Sequence, residues 1–125
     1  MFGVVPKTLW SRRLAADDRN RIPMGMRCLL VEHPAGLVLI DTGIGNKEDA
    51  KFHEIYGVEA EVPGHRTMLE AALAAAGFTP ADVRVVINTH LHFDHAGGNT
   101  VRDEAGQVVP TFPNARYLVH AGEME

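Results

Sequence analysis

Two short runs, Leu37-Val38-Leu39-Ile40 and Val85-Val86-Ile87, are apolar without alternation. Neighbouring side chains of an extended chain point to opposite faces, so each run presents apolar surface on both sides and needs cover from two directions. Such strands belong inside a layered α/β arrangement. Met26 to His33 and Leu37 to Asp41 flank Pro34-Ala35-Gly36, which predicts a hairpin. Between the two apolar runs the periodicity becomes helical. From Lys47 to Tyr56, Phe52 and Ile55 share one side, while Lys47, Glu48, Asp49 and Lys51 fall mostly on the other. Thr67 to Ala76 is a stronger helix: Thr67 and Glu70 have capping-box spacing, Leu69, Leu73 and Ala76 form a stripe, and Gly77 stands where a left-handed residue ends a helix. Thr79-Pro80 opens another helical turn and Arg84 to Asn88 returns to strand. A turn at Asp103-Glu104-Ala105-Gly106, a strand from Arg116 to Val119 and an incipient helix from Ala121 to Glu125 follow.

With 125 residues and no repeat, low-complexity tract or linker, the chain is expected to form one packed unit over 1–125. A single cysteine, Cys28, excludes a disulfide framework and any zinc site built on several thiolates. It also favours a reducing, cytoplasmic setting. Twelve Lys and Arg against sixteen Asp and Glu give a net charge of −4, without the basic excess of nucleic-acid binders. The basic stretch at Arg12, Arg13, Arg19 and Arg21 is interrupted by Asp17 and Asp18 and reads as a solvated loop. No apolar stretch is long enough to span a bilayer, so no membrane partner is expected.

The chemistry concentrates directly after the second buried run. His90-Leu91-His92-Phe93-Asp94-His95 packs three histidines and an aspartate into six residues, and Gly97-Gly98 follows. Residues two apart in an extended segment point the same way, so His90 and His92 can converge on one ion while Asp94 and His95, beyond a bend, reach a second. Leu91 and Phe93 are then expected to face the core. The glycines let the backbone turn tightly, close to the sheet edge where α/β proteins gather their ligands. Mixed nitrogen and oxygen donors suit zinc best, with iron, manganese and cobalt compatible.

The run from His90 to His95 resembles the HxHxDH signature of the metallo-β-lactamase superfamily, and Leu39-Ile40-Asp41-Thr42-Gly43 resembles that family's strand-ending DTG motif. Similarity extends from Phe2-Gly3-Val4-Val5-Pro6 to Tyr117-Leu118-Val119-His120, and within the superfamily it is greatest toward lactonase-like hydrolases of the acyl-homoserine lactonase type. The resemblance implies the N-terminal half of an αβ/βα sandwich, with two divalent metal ions at one edge. His90 and His92 would bind the first, Asp94 and His95 the second. Asp41 would be the carboxylate behind the histidine loop, although a cap on the turn from Gly43 to Asn46 serves its chemistry equally well.

Two close cations lower the pKa of a shared water, supply a hydroxide and polarise the carbonyl of a small ester, lactone or amide. Asp94 is the expected catalytic residue, as a second-metal ligand that orients the nucleophile. The remaining inventory agrees with this. Ser11 is the only serine and has no Gly-x-Ser-x-Gly elbow, and Cys28 lies within an expected strand as an inert thiol. His33, His53 and His65 read as surface or packing residues.

The sequence departs from the family by ending early. The family's later ligands, a third histidine for the first metal, a bridging aspartate and a last histidine, have no counterpart; after His95 the only histidine is His120, which does not match a ligand position. Met1-Phe2-Gly3 resembles the middle of the family's first strand. Three readings follow: an N-terminal piece of a hydrolase, which is favoured; half of a two-chain enzyme; or a non-catalytic metal-binding or interaction module. The first two carry an apolar sheet face that drives self-association or recruits a complementing C-terminal half.

Overall fold

The computed structural model describes residues 3–59 and 62–125. Its main sheet takes strands β1 (Leu29–His33), β2 (Gly36–Ile40), β3 (Val83–Asn88) and β6 (Arg116–Val119) in the order β1-β2-β3-β6. β1 runs antiparallel to β2, while β2, β3 and β6 are parallel. A small antiparallel pair, β4 (Thr100–Arg102) and β5 (Val108–Pro110), lies between β3 and β6 in sequence. The helices are α1 (Lys7–Trp10), α2 (Ala50–Tyr56), α3 (Met68–Ala75) and α4 (Phe93–Ala96). Among the described residues no helix is long and apolar enough to cross a membrane.

Local chemistry sets the helix ends. Asp49 caps α2 by accepting from the Phe52 N–H at 2.7 Å, and Gly57 ends it at φ +66°. Thr67 caps α3 through the Glu70 N–H at 3.1 Å. Glu70 does not complete a capping box; its carboxylate accepts from the Arg66 N–H and guanidinium instead. Arg66 offers the Glu70 carboxylate both a backbone N–H and a guanidinium fork, more donors than the Thr67 N–H alone. The turn Pro80–Asp82 is closed by Asp82, whose Oδ2 accepts from the N–H and hydroxyl of Thr79, both at 2.7 Å.

The core forms on one face of the sheet. Leu39, Val83 and Val86 pack with Leu73 of α3 and with Phe112, which precedes β6. Burying one such side chain stabilises the fold by about 1.5–3 kcal/mol. Both apolar runs need cover on two faces, and the described residues bury one of them. In β2, Leu37 and Leu39 are buried while Val38 and Ile40 are half-buried, and β3 repeats the pattern with Val85 and Ile87. Register places Leu29, Val31, Val38, Ile40, Val85, Ile87 and Leu118 on this second face, of which Leu29, Val31 and Leu118 are exposed.

Three further expectations are corrected. The first strand of the hairpin begins at Leu29, not Met26. Gly3 and Val4 lie in a turn that leads to α1 rather than in a strand, while Met1 and Phe2 lie outside the described residues. Lys47 precedes α2 and is part-buried instead of facing solvent: its ammonium donates to the carbonyls of Gly97 and Thr100. Burial pushes its pKa down. Two carbonyl acceptors offset the water that the part-buried ammonium loses.

Candidate metal centre

Parallel pairing of β2 with β3 brings their carboxyl ends together, with Ile40 opposite Ile87 and the Asp41 N–H donating to the Ile87 carbonyl at 2.9 Å. Asp41 adopts φ +59°, a left-handed conformation that Asp tolerates better than most residues. This kink turns its carboxylate toward the histidine loop. The Thr89 N–H donates to Asp41 Oδ1 at 2.8 Å, and the Thr89 hydroxyl lies 2.8 Å from Oδ2. His95 Nδ1 lies 2.8 Å from the same Oδ2. Burial raises the pKa of Asp41, but the bonds from His95 and Thr89 outweigh burial and hold it below the ordinary carboxylate value. Asp41 is therefore an anion that accepts three hydrogen bonds from the loop, and the turn from Gly43 to Asn46 is not what its carboxylate serves.

These contacts fix two imidazole tautomers. A carboxylate only accepts, so His95 presents its Nδ1–H to Asp41 and leaves the Nε2 lone pair free. Thr89 spends its hydroxyl proton on Asp41, so toward His90 Nδ1, at 3.0 Å, its oxygen accepts. His90 is likewise left with Nε2 as its open donor atom. The ring of His90 stands 4.7 Å from that of His92 and 4.0 Å from that of His95, centre to centre, and Asp94 Oδ2 lies 3.6 Å from His95 Nε2. Among the described residues no three His, Cys, Asp or Glu side chains converge closely enough to define a coordination sphere as they stand. The donor chemistry nevertheless fits a cation: three imidazoles stand beside a carboxylate, and two of them, His90 and His95, are held at Nδ1 by an oxygen.

The loop is also fixed through its backbone. The His95 carbonyl accepts from the Thr42 N–H at 2.7 Å and the Thr42 hydroxyl at 3.1 Å. Buried Asn88 accepts from part-buried Asn99 at 2.8 Å, and Asn99 Oδ1 accepts from Thr42 at 3.0 Å. Gly98 donates to the Gly43 carbonyl at 2.8 Å. A Cβ on Gly97 would lie 2.4 Å from the Ile44 carbonyl oxygen, one on Gly98 2.1 Å from that of Thr42, and one on Gly45 2.8 Å from that of Gly97. The Asp41-to-Gly45 segment and the Gly97-Gly98 turn are thus in backbone contact, which only glycine allows.

Leu91 and Phe93 do not face the core as the alternation predicts; they are 38% and 40% exposed. The chain leaves the sheet at Asn88 and enters α4 at Phe93, so period-2 alternation does not reach this far. Phe93 packs instead against α2, with ring centres 5.1 Å from Phe52 and 5.3 Å from Tyr56. The three rings form an aromatic wall next to Asp94, a feature absent from the sequence reading although Phe52 and Tyr56 have the spacing of one helix face. Cys28 is part-buried, and burial, followed by the charge of Asp41, raises its thiol pKa to about 11. His120 accepts from the Gly122 N–H at 3.1 Å and so caps a turn. His33 accepts from the Ala35 N–H at 3.1 Å within the hairpin turn, and His53 Nε2 is buried with no hydrogen-bond partner among the described residues.

A mostly parallel sheet whose carboxyl edge carries a histidine-rich loop with a carboxylate behind it defines an α/β protein with a candidate metal-ligand loop. The sequence profile of the Metallo-beta-lactamase superfamily matches residues 24–121, and the chain belongs to that superfamily. The N-acyl homoserine lactonase AttM of Agrobacterium fabrum is 35% identical over 100 residues, which are 77% of this chain and 34% of AttM. A structure described as a "probable metal-dependent hydrolase" from Staphylococcus aureus superposes with a TM-score of 0.80 at 38% identity, covering 99% of this chain and 42% of that one. AidC, described as a dizinc quorum-quenching lactonase in complex with a product, superposes with a TM-score of 0.50 at 30% identity, over 72% of this chain and 24% of AidC. The chain spans about a third of the length of the curated relatives it matches.

Proposed function

We propose that this chain supplies the first ligand cluster of a metal-dependent hydrolase acting on a lactone or related carboxylic ester. The observation that carries the reading is the hydrogen-bond chain from Asp41 to His95, and through Thr89 to His90, which holds both imidazoles at Nδ1 with their ring centres 4.0 Å apart. In this reading His90 and His92 hold one divalent ion and Asp94 and His95 a second. Zinc suits these donors best, and AidC is a dizinc protein. A bound pair of such cations supplies Lewis acidity toward water and toward the substrate carbonyl.

The chain's own residues contribute position and proton control. Asp94, 41% exposed at its side chain, accepts a hydrogen bond from the attacking water and aims the water's lone pair at the carbonyl carbon. Asp41 keeps His95 in one tautomer and does not itself reach the substrate. The wall of Phe52, Tyr56 and Phe93 offers apolar contact to a substrate's hydrocarbon part. Lactone substrates are supported by relatives such as AttM.

The half-open sheet face supports a second layer packed on it, either from the same polypeptide or from a complementing chain, which would bring further ligands to the edge. A metal-binding module without catalysis is the competing reading. Metal content and chelator-sensitive hydrolysis of a lactone panel separate them. His92→Ala should lower bound metal, and Asp94→Ala should abolish hydrolysis in the presence of the completing half. Equal metal in the parent and His92→Ala overturns the ligand assignment; metal binding without turnover, with the completing half present, favours the module.

A further inference from the structure

We infer that Glu123 is a positioning residue for the proposed metal site, acting through the peptide group between His90 and His92. The inference rests on the metal-ligand reading above. The Leu91 N–H donates to Glu123 Oε2 at 2.9 Å across 32 residues of sequence. Leu91 is the residue between the two histidines, so fixing its N–H fixes the peptide plane that joins it to His90. The directions in which His90 and His92 leave the backbone depend on that plane.

Glu123 is itself held in place. It closes the 3-10 turn Ala121–Glu123, in which the Glu123 N–H donates to the His120 carbonyl at 3.0 Å and the Gly122 N–H to His120 Nδ1 at 3.1 Å. The turn follows β6 directly, and the pairing of Val119 with Asn88 brings it to the same sheet edge as Thr89. Two carboxylates from opposite flanks therefore grip the loop. Asp41, from the β2 side, holds Thr89 and His95; Glu123, from the β6 side, holds Leu91. Hydrogen bonds from a peptide N–H to an ionised carboxylate are shorter and stronger than those to neutral acceptors, which suits an anchor on an exposed loop.

Cobalt(II) titration against a chromophoric chelator, the visible spectrum of bound cobalt, and amide exchange at Leu91 in the metal-free protein test this. Glu123→Ala should bind cobalt about tenfold more weakly or worse, as loss of an outer contact does at other metal sites. Its spectrum per bound ion should change, and Leu91 exchange should accelerate by about tenfold or more. Glu123→Gln, whose amide oxygen still accepts, should recover most of each. Glu104→Ala, at an exposed acid in the turn between β4 and β5, should match the parent.

Faster Leu91 exchange with unchanged cobalt affinity and spectrum would overturn the inference, because the contact would then hold the peptide without positioning the histidines. Unchanged Leu91 exchange would overturn it as well, and so would an equal loss in Glu104→Ala, which would mark a general charge effect. If Glu123→Ala fails to fold, Glu123→Gln decides: cobalt affinity as weak as that of His92→Ala would count against an acceptor role. A parent that binds no cobalt overturns the metal reading itself, an outcome distinct from a parent that binds and a Glu123→Ala variant that binds equally.

Discussion

Asp41 and His95 meet across the ends of two parallel strands, Oδ2 to Nδ1, at 2.8 Å. The carbonyl of the same histidine accepts from Thr42, the residue after Asp41, at 2.7 Å. Consecutive residues at the end of β2 thus fix both the ring and the backbone of one proposed ligand.

Replacing Asp41 with Asn removes the charge but keeps a residue suited to φ +59°. Zinc affinity should fall about 10–100-fold, measured by chelator competition, since an outer carboxylate of this kind raises ligand basicity. Asp41→Ala should lose the same affinity and destabilise the fold by about a further 1–2 kcal/mol, the cost of a left-handed backbone at alanine. An Asn variant with the parent's affinity would remove Asp41 from this role.

The pKa of Asp41 is depressed in the fold below its ordinary 3.8. A depressed carboxylate contributes stability that is fully present above the ordinary value and lost as pH falls through the lower, folded one. In metal-free protein, the gap in unfolding free energy between parent and Asp41→Asn should be constant above about pH 5 and should close on further acidification. Urea unfolding at a series of pH values checks this, and a gap that widened toward acid would contradict it.

Gly98→Ala should be strongly destabilising, because the new Cβ would lie 2.1 Å from the Thr42 carbonyl oxygen. Both partners are backbone, so neither can rotate away, and overpacking of this kind costs about 1–3 kcal/mol. Gly106→Ala, with no atom within 4 Å of its Cβ but φ +79°, isolates the backbone-strain component. Denaturant midpoints should fall more for Gly98→Ala; the reverse order would show that the two loops can separate.

The Cys28 thiol, with a pKa raised from 9.0 to about 11, should alkylate slowly. At pH 8 its thiolate fraction is about a hundredfold lower than that of a thiol at 9.0. Iodoacetamide rates followed by mass spectrometry, native against urea-unfolded, should differ at least to that extent; equal rates would place the thiol in solvent.

The apolar sheet face should drive association of the isolated chain. Leu29 is 58% exposed, Leu118 42% and Val31 38%, on one continuous face. Sedimentation velocity should show concentration-dependent species, reduced in Leu29→Lys and Leu118→Lys. A monomer at all concentrations, without binding of an apolar dye, would show that the face is covered from within the chain.

The features legible in the sequence were those encoded locally. The cap at Thr67 and the left-handed Gly77 need only their own helix, and the cluster from His90 to His95 announces itself by composition. What escaped depends on distant partners. Lys47 looked like a solvated lysine because the carbonyls it satisfies, those of Gly97 and Thr100, lie some fifty residues away. Glu123 carries no local signal for the same reason, since the N–H it accepts from lies 32 residues away. Leu91 and Phe93 were misplaced because the strand stops at Asn88, and nothing in the alternation marks that stop. β4 and β5, three residues each, are too short to show a period.

The contact among Gly45, Gly97 and Gly98 has a kinetic side. Backbone wedged against backbone cannot slide or hinge, so the proposed ligand loop has no room to open and close around a substrate. Movement at this edge belongs to α2, a seven-residue helix with no buried residue, whose Phe52 and Tyr56 lean on Phe93. The expected picture is an aromatic flank that moves over a fixed floor: exchange broadening in a relaxation experiment should appear at Phe52 and Tyr56 while Gly97 and Gly98 stay sharp.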